Sequence, residues 1–446
     1  MAGRFSRGSM IVALALAGAQ AGTAHSASAS GSILGTPGQI AAERRVIALL
    51  RDPKIKAAQA TVRAELAATP VGRTPEGAAL LDRAIRQWTT SFIIREIAGD
   101  PARPQILWFD DNTPHSWHGH SIDMAVAGDN PDHIYRTSTI DGSGRYEIVG
   151  KVDPAHRPVQ FSFEATRRGQ PLRQTAGSAD MGAQIHMLTD QDIKVEPDGS
   201  FRLTVGGPGD GPNHLRTVPG PVGIGFRDVL SDWSQHANRL TIRRLDKPAA
   251  KPRDDAALHA HILAGLPDYL RFWARFKDKW LGGLQPNAPV GPVARDGSWG
   301  YMAGARYVLA PDEAAIITTT RGAARYTGIQ VTDAWMVAAD GARHQTSINL
   351  SQAKPDPDGT YSYVLSPTNP GVANWLDTAG VHDGYLLLRW QGFEPGSTSD
   401  GLLKSYRVVK IADLKSVLPS TTAWVTPEQQ AKAIAVRAAD YRKRQE

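Results

Sequence analysis

The chain has 446 residues, a formal net charge of +6 and no cysteine. Disulfides and thiolate nucleophiles are therefore excluded, and so mild a positive balance gives no reason to expect a polyanionic nucleic-acid partner. Stability must come from one or two buried cores, which a chain of this length can supply.

Arg4 and Arg7 precede an apolar run from Met10 to Ala17, and the small-residue site "ASA" follows at Ala27 to Ala29. This is the pattern of a secretory signal. Residues 1–29 are predicted to be removed, giving a periplasmic or secreted product that begins near Ser30. Losing the two arginines lowers the balance from +6 to +4. No later apolar run approaches the roughly 20 residues that span a bilayer, so no membrane-spanning segment is expected.

Residues 30–103 read as a helical N-terminal segment. Thr36-Pro37 and Thr74-Pro75-Glu76 each set a capping hydroxyl before a proline at the first helical position. Helices are predicted near 37–68 and 75–98; in the second, Leu81, Ile85, Trp88, Phe92 and Ile93 form one apolar stripe. From 104 to 250 the pattern turns to alternating strands cut by Asp-Gly and Pro-Asp turns, as in "VQFSFEA" and "SFRLTVG", which predicts a β-sandwich of jelly-roll type. Residues 251–289 form a helical connector, in which Pro267 is predicted to split the stripe Leu258, Ile262, Leu266, Leu270, Trp273 into two helices. A second β-sandwich is predicted over 290–411 and a terminal helix over 412–446. That helix should start at a capping box, Thr426 and Gln429 around Pro427, and dock through Ile434, Ala438 and Tyr441. Its end, "YRKRQE", reads as a solvated helix terminus whose cations suit the dipole.

The two β regions repeat one set of signals. "PDGSFRLTV" from Pro197, "NHLRT" from Asn213 and "GIGFRDV" from Gly223 match "PDGTYSYVL" from Pro357, "NWLDT" from Asn374 and "GYLLLRW" from Gly384. "RYEIVG" at Arg145 and "RYVLAP" at Arg306 provide a further pair. The spacing predicts a tandem duplication. What both copies keep, the Asp-Gly hairpin and the Asn-led corner, is scaffold by this reading; what differs, Trp375 for His214 and Asp377 for Arg216, is the specialised part.

"NPDHIYRTSTIDGSGRYEIVG" from Asn130, "FRDVLSDW" from Phe226, "ARYVLAPDEAAII" from Ala305, "SINLSQA" from Ser347 and "NPGVANWLDTAGVHDGYLLLRW" from Asn369 resemble the bacterial family of domain of unknown function 1214. That family often accompanies the related domain 1254. The resemblance covers most of the chain after residue 125 and implies a two-part β-sandwich fold; it implies no activity.

Two clusters could carry chemistry. "DDNTPHSWHGH" holds Asp110, Asp111, His115, His118 and His120, and imidazoles two apart on a strand share a face, so a divalent metal is one use and a solvated loop the other. In the second copy, Asp377, His344 and Arg389 are the candidate catalytic residues, with Asn349, Asn374, Trp375 and Trp335 as ligand-binding residues. Asp377 or His344 would act as general acid or base, and Arg389 or Asn349 would neutralise a carboxylate or oxyanion. Asp333, Asp340 and Asp383 are available as a second carboxylate. The same residues also fit a plain corner in which Asp377 caps the turn and pairs with Arg389 while Trp375 fills the core. The Gly-rich "GGPGDGP" lacks a phosphate-loop ending, and no Gly-x-Ser-x-Gly elbow is present. The expectation is an exported enzyme, a hydrolase or lyase acting on a polysaccharide or related glycan and needing no cofactor; the alternative is a non-catalytic periplasmic ligand-binding or envelope protein.

Overall fold

The structure is a computed structural model that describes residues 32–167, 174–175, 178–179, 183–248, 251–279, 281, 283–295, 300–394 and 396–445. The expected signal, 1–29, lies outside the described residues. Helices α1 (Pro37–Leu49), α2 (Pro53–Ala67) and α3 (Pro75–Ile97) come first. Each opens on a capping side chain followed by proline, Thr36, Asp52 and Thr74 accepting from backbone N–H groups of the first turn. The expected helix over 37–68 is therefore two helices, because Asp52-Pro53 is itself a start signal. Leu81, Ile85, Trp88, Phe92 and Ile93 of α3 are all buried.

The first β region contains β1 (Leu107–Trp117), β2 (His120–Met124), β3 (His133–Asp141), β4 (Tyr146–Lys151), β5 (Gln160–Arg167), β6 (Gln174–Thr175), β7 (Ser178–Ala179), β8 (Gln184–Thr189), β9 (Ser200–Val205), β10 (His214–Leu215), β11 (Pro221–Val229) and β12 (Arg239–Arg244). Its sheets run β2-β1-β3-β11-β5-β8 and β10-β9-β4-β12, with β6-β7 a separate pair. Helix α4 (Asp255–Ala274) follows. It continues through Pro267, contrary to expectation: a proline inside a helix costs about 3 kcal/mol, but Leu258, Ile262, Leu266, Leu270 and Trp273 on its buried face contribute roughly 2 kcal/mol each and outweigh that cost.

The second β region contains β13 (Val290–Ala294), β14 (Tyr301–Val308), β15 (Glu313–Thr320), β16 (Tyr326–Asp333), β17 (Ser347–Asn349), β18 (Thr360–Ser366), β19 (Trp375–Asp377), β20 (Asp383–Gln391) and β21 (Leu403–Lys410). Its sheets run β13-β14-β20-β16-β17 and β19-β18-β15-β21. The two orders correspond strand for strand, β3 with β14, β4 with β15, β5 with β16, β9 with β18 and β11 with β20. The corner asparagines make the same bonds: Asn213 accepts from Lys194 N at 2.7 Å and donates to the Lys194 and Arg202 carbonyls at 3.0 and 3.1 Å. Asn374 accepts from Lys354 N at 2.8 Å and donates to the Lys354 and Ser362 carbonyls at 2.8 and 3.1 Å. One expected anchor fails, since "RYEIVG" opens β4 whereas "RYVLAP" closes β14, which is the counterpart of β3.

The molecule is mainly β, two sandwiches with helices. Phe161, Phe163, Phe201 and Phe226 fill the first sandwich, and Tyr307, Ile329, Leu386 and Trp390 the second. Alternation along each strand sends the intervening residues to the outer face of the larger sheet. On β3 and β11 these are Tyr135 and Arg227; on β16 and β20 they are Tyr326, Gln330 and Arg389. The two outer faces meet, with Tyr326 packed on Val229 and Arg325 paired to Asp190 at 3.0 Å. Short α5 (Leu414–Val417) leads to α6 (Pro427–Arg442), which begins at the Thr426–Gln429 capping box. Tyr441 is buried, and the end of the helix is only partly solvated: Arg442 and Lys443 are exposed, but Arg437 and Arg444 are buried, both over the Trp233 ring, at 4.1 and 4.8 Å. Among the described residues no helix is long and apolar enough to cross a membrane.

Candidate functional site

The sequence candidates separate into different places. Asp377 and His344 do come together, the imidazole Nδ1 lying 2.8 Å from the carboxylate Oδ2, and they line a cavity of about 220 Å³ with Asp340, Arg343 and Arg83. The hydrogen bond to Asp377 raises the His344 pKa, against partial burial. Asp377 Oδ1 accepts from Ala379 N at 2.8 Å, so it also caps the corner.

The other candidates are elsewhere because their strands carry them to other faces. Arg389 points from β20 into the junction between the sandwiches, where it donates to Gln330 and, at 2.8 Å, to the Gly128 carbonyl; it does not pair with Asp377. Asn349 donates to Asp132 of the first sandwich at 3.1 Å. Trp335 is buried against the helices and donates to the Gly77 carbonyl at 2.8 Å. Trp375 donates to the Ser366 carbonyl at 3.2 Å within an apolar cluster, and Asn374 is the corner bracket described above.

The histidine-rich stretch is the β1–β2 hairpin rather than an exposed loop. Glu43 of α1 takes His115 Nε2 at 3.2 Å, His120 Nε2 at 2.6 Å and the Trp117 indole N–H at 2.6 Å. His118 stands apart at the turn with φ 47°. Burial pushes His115 down, but Asp111 and Glu43 lift it to about 9. Burial pushes Glu43 up, and its bonds to His115, Gln39 and His120 outweigh this and leave it lowered. Another acid–imidazole group, Asp153, His156 and His236, brings both Nδ1 atoms to one carboxylate oxygen at 3.1 and 2.9 Å. Its two rings are stacked, with centroids 4.5 Å apart and planes 25° from parallel.

A continuous polar chain, which sequence reasoning missed, crosses the junction. Asp132 accepts from Trp233 Nε1 at 2.7 Å and from the Tyr326 hydroxyl at 2.8 Å. Tyr326 Oη accepts from Asn130 Nδ2 at 2.8 Å, and the same amide lies 3.3 Å from His133 Nε2. His133 Nδ1 lies 3.0 Å from the Tyr135 hydroxyl. Burial first, then Arg227, Arg389 and Arg295, hold His133 well below its ordinary value, so it is neutral. The tautomer follows from the network: Nε2 accepts from Asn130, so Nδ1 carries the proton and donates to Tyr135. The phenolic proton of Tyr135 is therefore directed away from His133. Gly328 makes room for the chain, since a Cβ there would lie 2.0 Å from the Tyr326 hydroxyl.

The chain ends at a cavity of about 170 Å³ on the outer face of the first larger sheet, under α3 and α4, lined among others by Tyr135, Arg227, Glu164, Gly225, Arg95 and Trp273. Across the strands Tyr135 stands opposite Arg227, and Glu164 opposite Gly225. The opening lies over Gly225, where a Cβ would meet only the Glu164 carbonyl, at 3.9 Å. Arg95 is held over the rings of Phe109 and Tyr269, at 5.0 and 5.8 Å. Nearby buried acids are shifted upward: burial and then Asp111 raise Asp129 to about 8, and burial and then Asp129 raise Asp110 well above its ordinary value.

No protein-family model matches the chain, and no curated protein matches it. The fold is similar to the crystal structure of a Burkholderia cenocepacia protein described as uncharacterized, with TM-score 0.67 and 22% identity over 81% of this chain and 96% of that one. A Vibrio parahaemolyticus structure matches with TM-score 0.39 and 11% identity, over 64% of this chain and 90% of that one. The first likeness shows the fold alone.

Proposed function

We propose that the protein is an exported enzyme, a hydrolase or lyase acting on a glycan, and that it works by general acid–base catalysis at the cavity on the outer face of its first sandwich, to which the polar chain from the junction leads. Its sequence resembles the family of domain of unknown function 1214, which we take as its family. The observation that carries the enzyme reading is the chain from Asp132 through Tyr326, Asn130 and His133 to Tyr135, ending at an open cavity. A binding protein needs donors and rings; it does not need a tyrosine whose proton is set by a neutral imidazole in a fixed tautomer. Tyr135 is placed as the group that gives a proton to the leaving oxygen, for which positioned acids contribute roughly a hundredfold to ten-thousandfold. Phe109, Phe272 and Trp273 offer apolar faces suited to a sugar ring.

The experiment is release of new reducing ends from a panel of plant, algal, bacterial and animal polysaccharides. The expected result is turnover of at least one, reduced a hundredfold or more in Tyr135→Phe, with a stability loss no larger than the roughly 1 to 3 kcal/mol of leaving the His133 N–H unpaired. Full activity in that variant would remove Tyr135 as the acid. Export is checked separately, by fractionating cells that express the full chain and locating the product after the Ala29–Ser30 cleavage.

A further inference from the structure

We propose that the Tyr135 cavity takes the carboxylate-bearing residue of an acidic glycan and that the reaction there is β-elimination, which makes the enzyme a lyase. This deepens the preceding reading and rests on it.

The charge on the cavity walls selects the substrate class. Arg95 and Arg227 both line it. Arg95 forms no ion pair with a described residue and is instead set between two rings, an arrangement that fixes a guanidinium while leaving its N–H edge available. These two guanidinium cations on one small cavity fit an anion better than a neutral hydroxyl. The volume suits one sugar residue with its acid group rather than a length of polymer.

The placement of Glu164 and Tyr135 selects the reaction. Glu164 stands opposite Gly225 on β5, and Tyr135 opposite Arg227 on β3, with β11 between them. Adjacent strands are about 4.8 Å apart and residues two apart on a strand about 6.7 Å, so the two side chains stand on a diagonal of roughly 12 Å across β11, with the glycine gap beside Glu164. A sugar held by its carboxylate over Gly225 would present the carbon alpha to that carboxylate to Glu164. Glu164 takes the proton from this carbon, and the C–H electron pair becomes the new carbon–carbon double bond. The bond from the next carbon to the glycosidic oxygen breaks, and that oxygen leaves with the proton of Tyr135. The Arg95 and Arg227 charges stabilise the carboxylate as it gains enolate character. No water, oxidant or metal enters the balance. Tyr135 is reprotonated from solvent through the open mouth, and Glu164 releases its proton the same way.

The test uses the mature chain and two matched sets of polysaccharides, uronate-containing and neutral. One readout is the ultraviolet absorbance of a double bond conjugated with a carboxylate; a second is release of reducing ends. The expected result is growth of the chromophore in step with reducing ends on uronate polymers alone. Glu164→Gln and Tyr135→Phe should each lower that rate a hundredfold or more, with both variants still folded at the assay temperature by melting. Arg95→Met should raise KM tenfold or more, and free uronate should inhibit the parent more strongly than Arg95→Met. Reducing ends without chromophore, or equal cleavage of neutral polymers, would overturn elimination and leave the acid–base reading standing. Cleavage of no polymer in either set would overturn both.

Discussion

Asn349 of the second sandwich donates its side-chain amide to Asp132 of the first, 3.1 Å away, with both residues fully buried. One bond thus joins the end of β17 to the loop before β3, and Asp132 holds both the Trp233 indole and the Tyr326 hydroxyl from the same position. Asn349→Ala would leave a buried carboxylate oxygen short of one donor. The expected cost is about 1 to 3 kcal/mol, read as a shift in the denaturation midpoint with the slope unchanged. A variant as stable as the parent would show that the junction does not depend on this bond.

Gly328 is the position where the Tyr326 phenol crosses the backbone of its own strand. Gly328→Ala should displace that ring, with an overpacking cost of about 1 to 3 kcal/mol. It should also sever the polar chain between Asp132 and Asn130, so turnover should fall further than in a variant destabilised equally elsewhere. Comparing rate and melting temperature against such a matched variant checks the point.

The pH dependence of stability follows from Glu43 and His115. His115 is raised from 6.5 to about 9, so its contribution is fully present below 6.5 and disappears as pH climbs through about 9. Glu43 is lowered from 4.5, so its contribution is present above that value and disappears as pH falls through the folded value. Melting temperature should therefore decline between pH 6.5 and 9, and His115→Gln should flatten that decline. An identical slope in parent and variant would assign the decline to other groups.

Asp377→Asn addresses the corner. With His344 38% exposed, the pair should contribute under about 1 kcal/mol, and the amide still accepts the capping bond from Ala379. The His344 titration, followed by NMR, should move to lower pH, since the hydrogen bond to Asp377 is the main reason for its raised value. A hundredfold loss of turnover in this variant would place the chemistry at the corner instead of the Tyr135 cavity.

The fold was legible where a signal is local. Threonine-proline starts, the α3 stripe and the strand alternation all depend on near neighbours in sequence, and even the duplication could be read from corner asparagines that each brace one turn. The Pro267 break is absent and the C-terminus is solvated only in part, at Arg442 and Lys443, because packing from distant elements overrides a local rule. The site was legible only in pieces. Asp377 and His344 meet because the segment between β16 and β17 folds back on the corner, with Asp377 N bonded to the Gln345 carbonyl. Arg389 was placed with them by its nearness in sequence, yet β20 turns it to the opposite side of the second sandwich from the corner strands. "NPDHIY" was read only for its resemblance. Nothing in one sequence says that Tyr326, almost two hundred residues later, completes its hydrogen bonds.

Helix α6 and the turn after it touch both sandwiches. Arg437 donates to the carbonyls of Gly341 and Ser347 in the second sandwich while lying over Trp233 of the first, and Tyr441 and Arg444 reach Asp111 and the Pro131 carbonyl. Residues 437–444 are thus a clasp across both halves, held by three side chains that each grip a different loop or strand. Loosening this one segment would free the two sandwiches to shift against each other while each keeps its own apolar core.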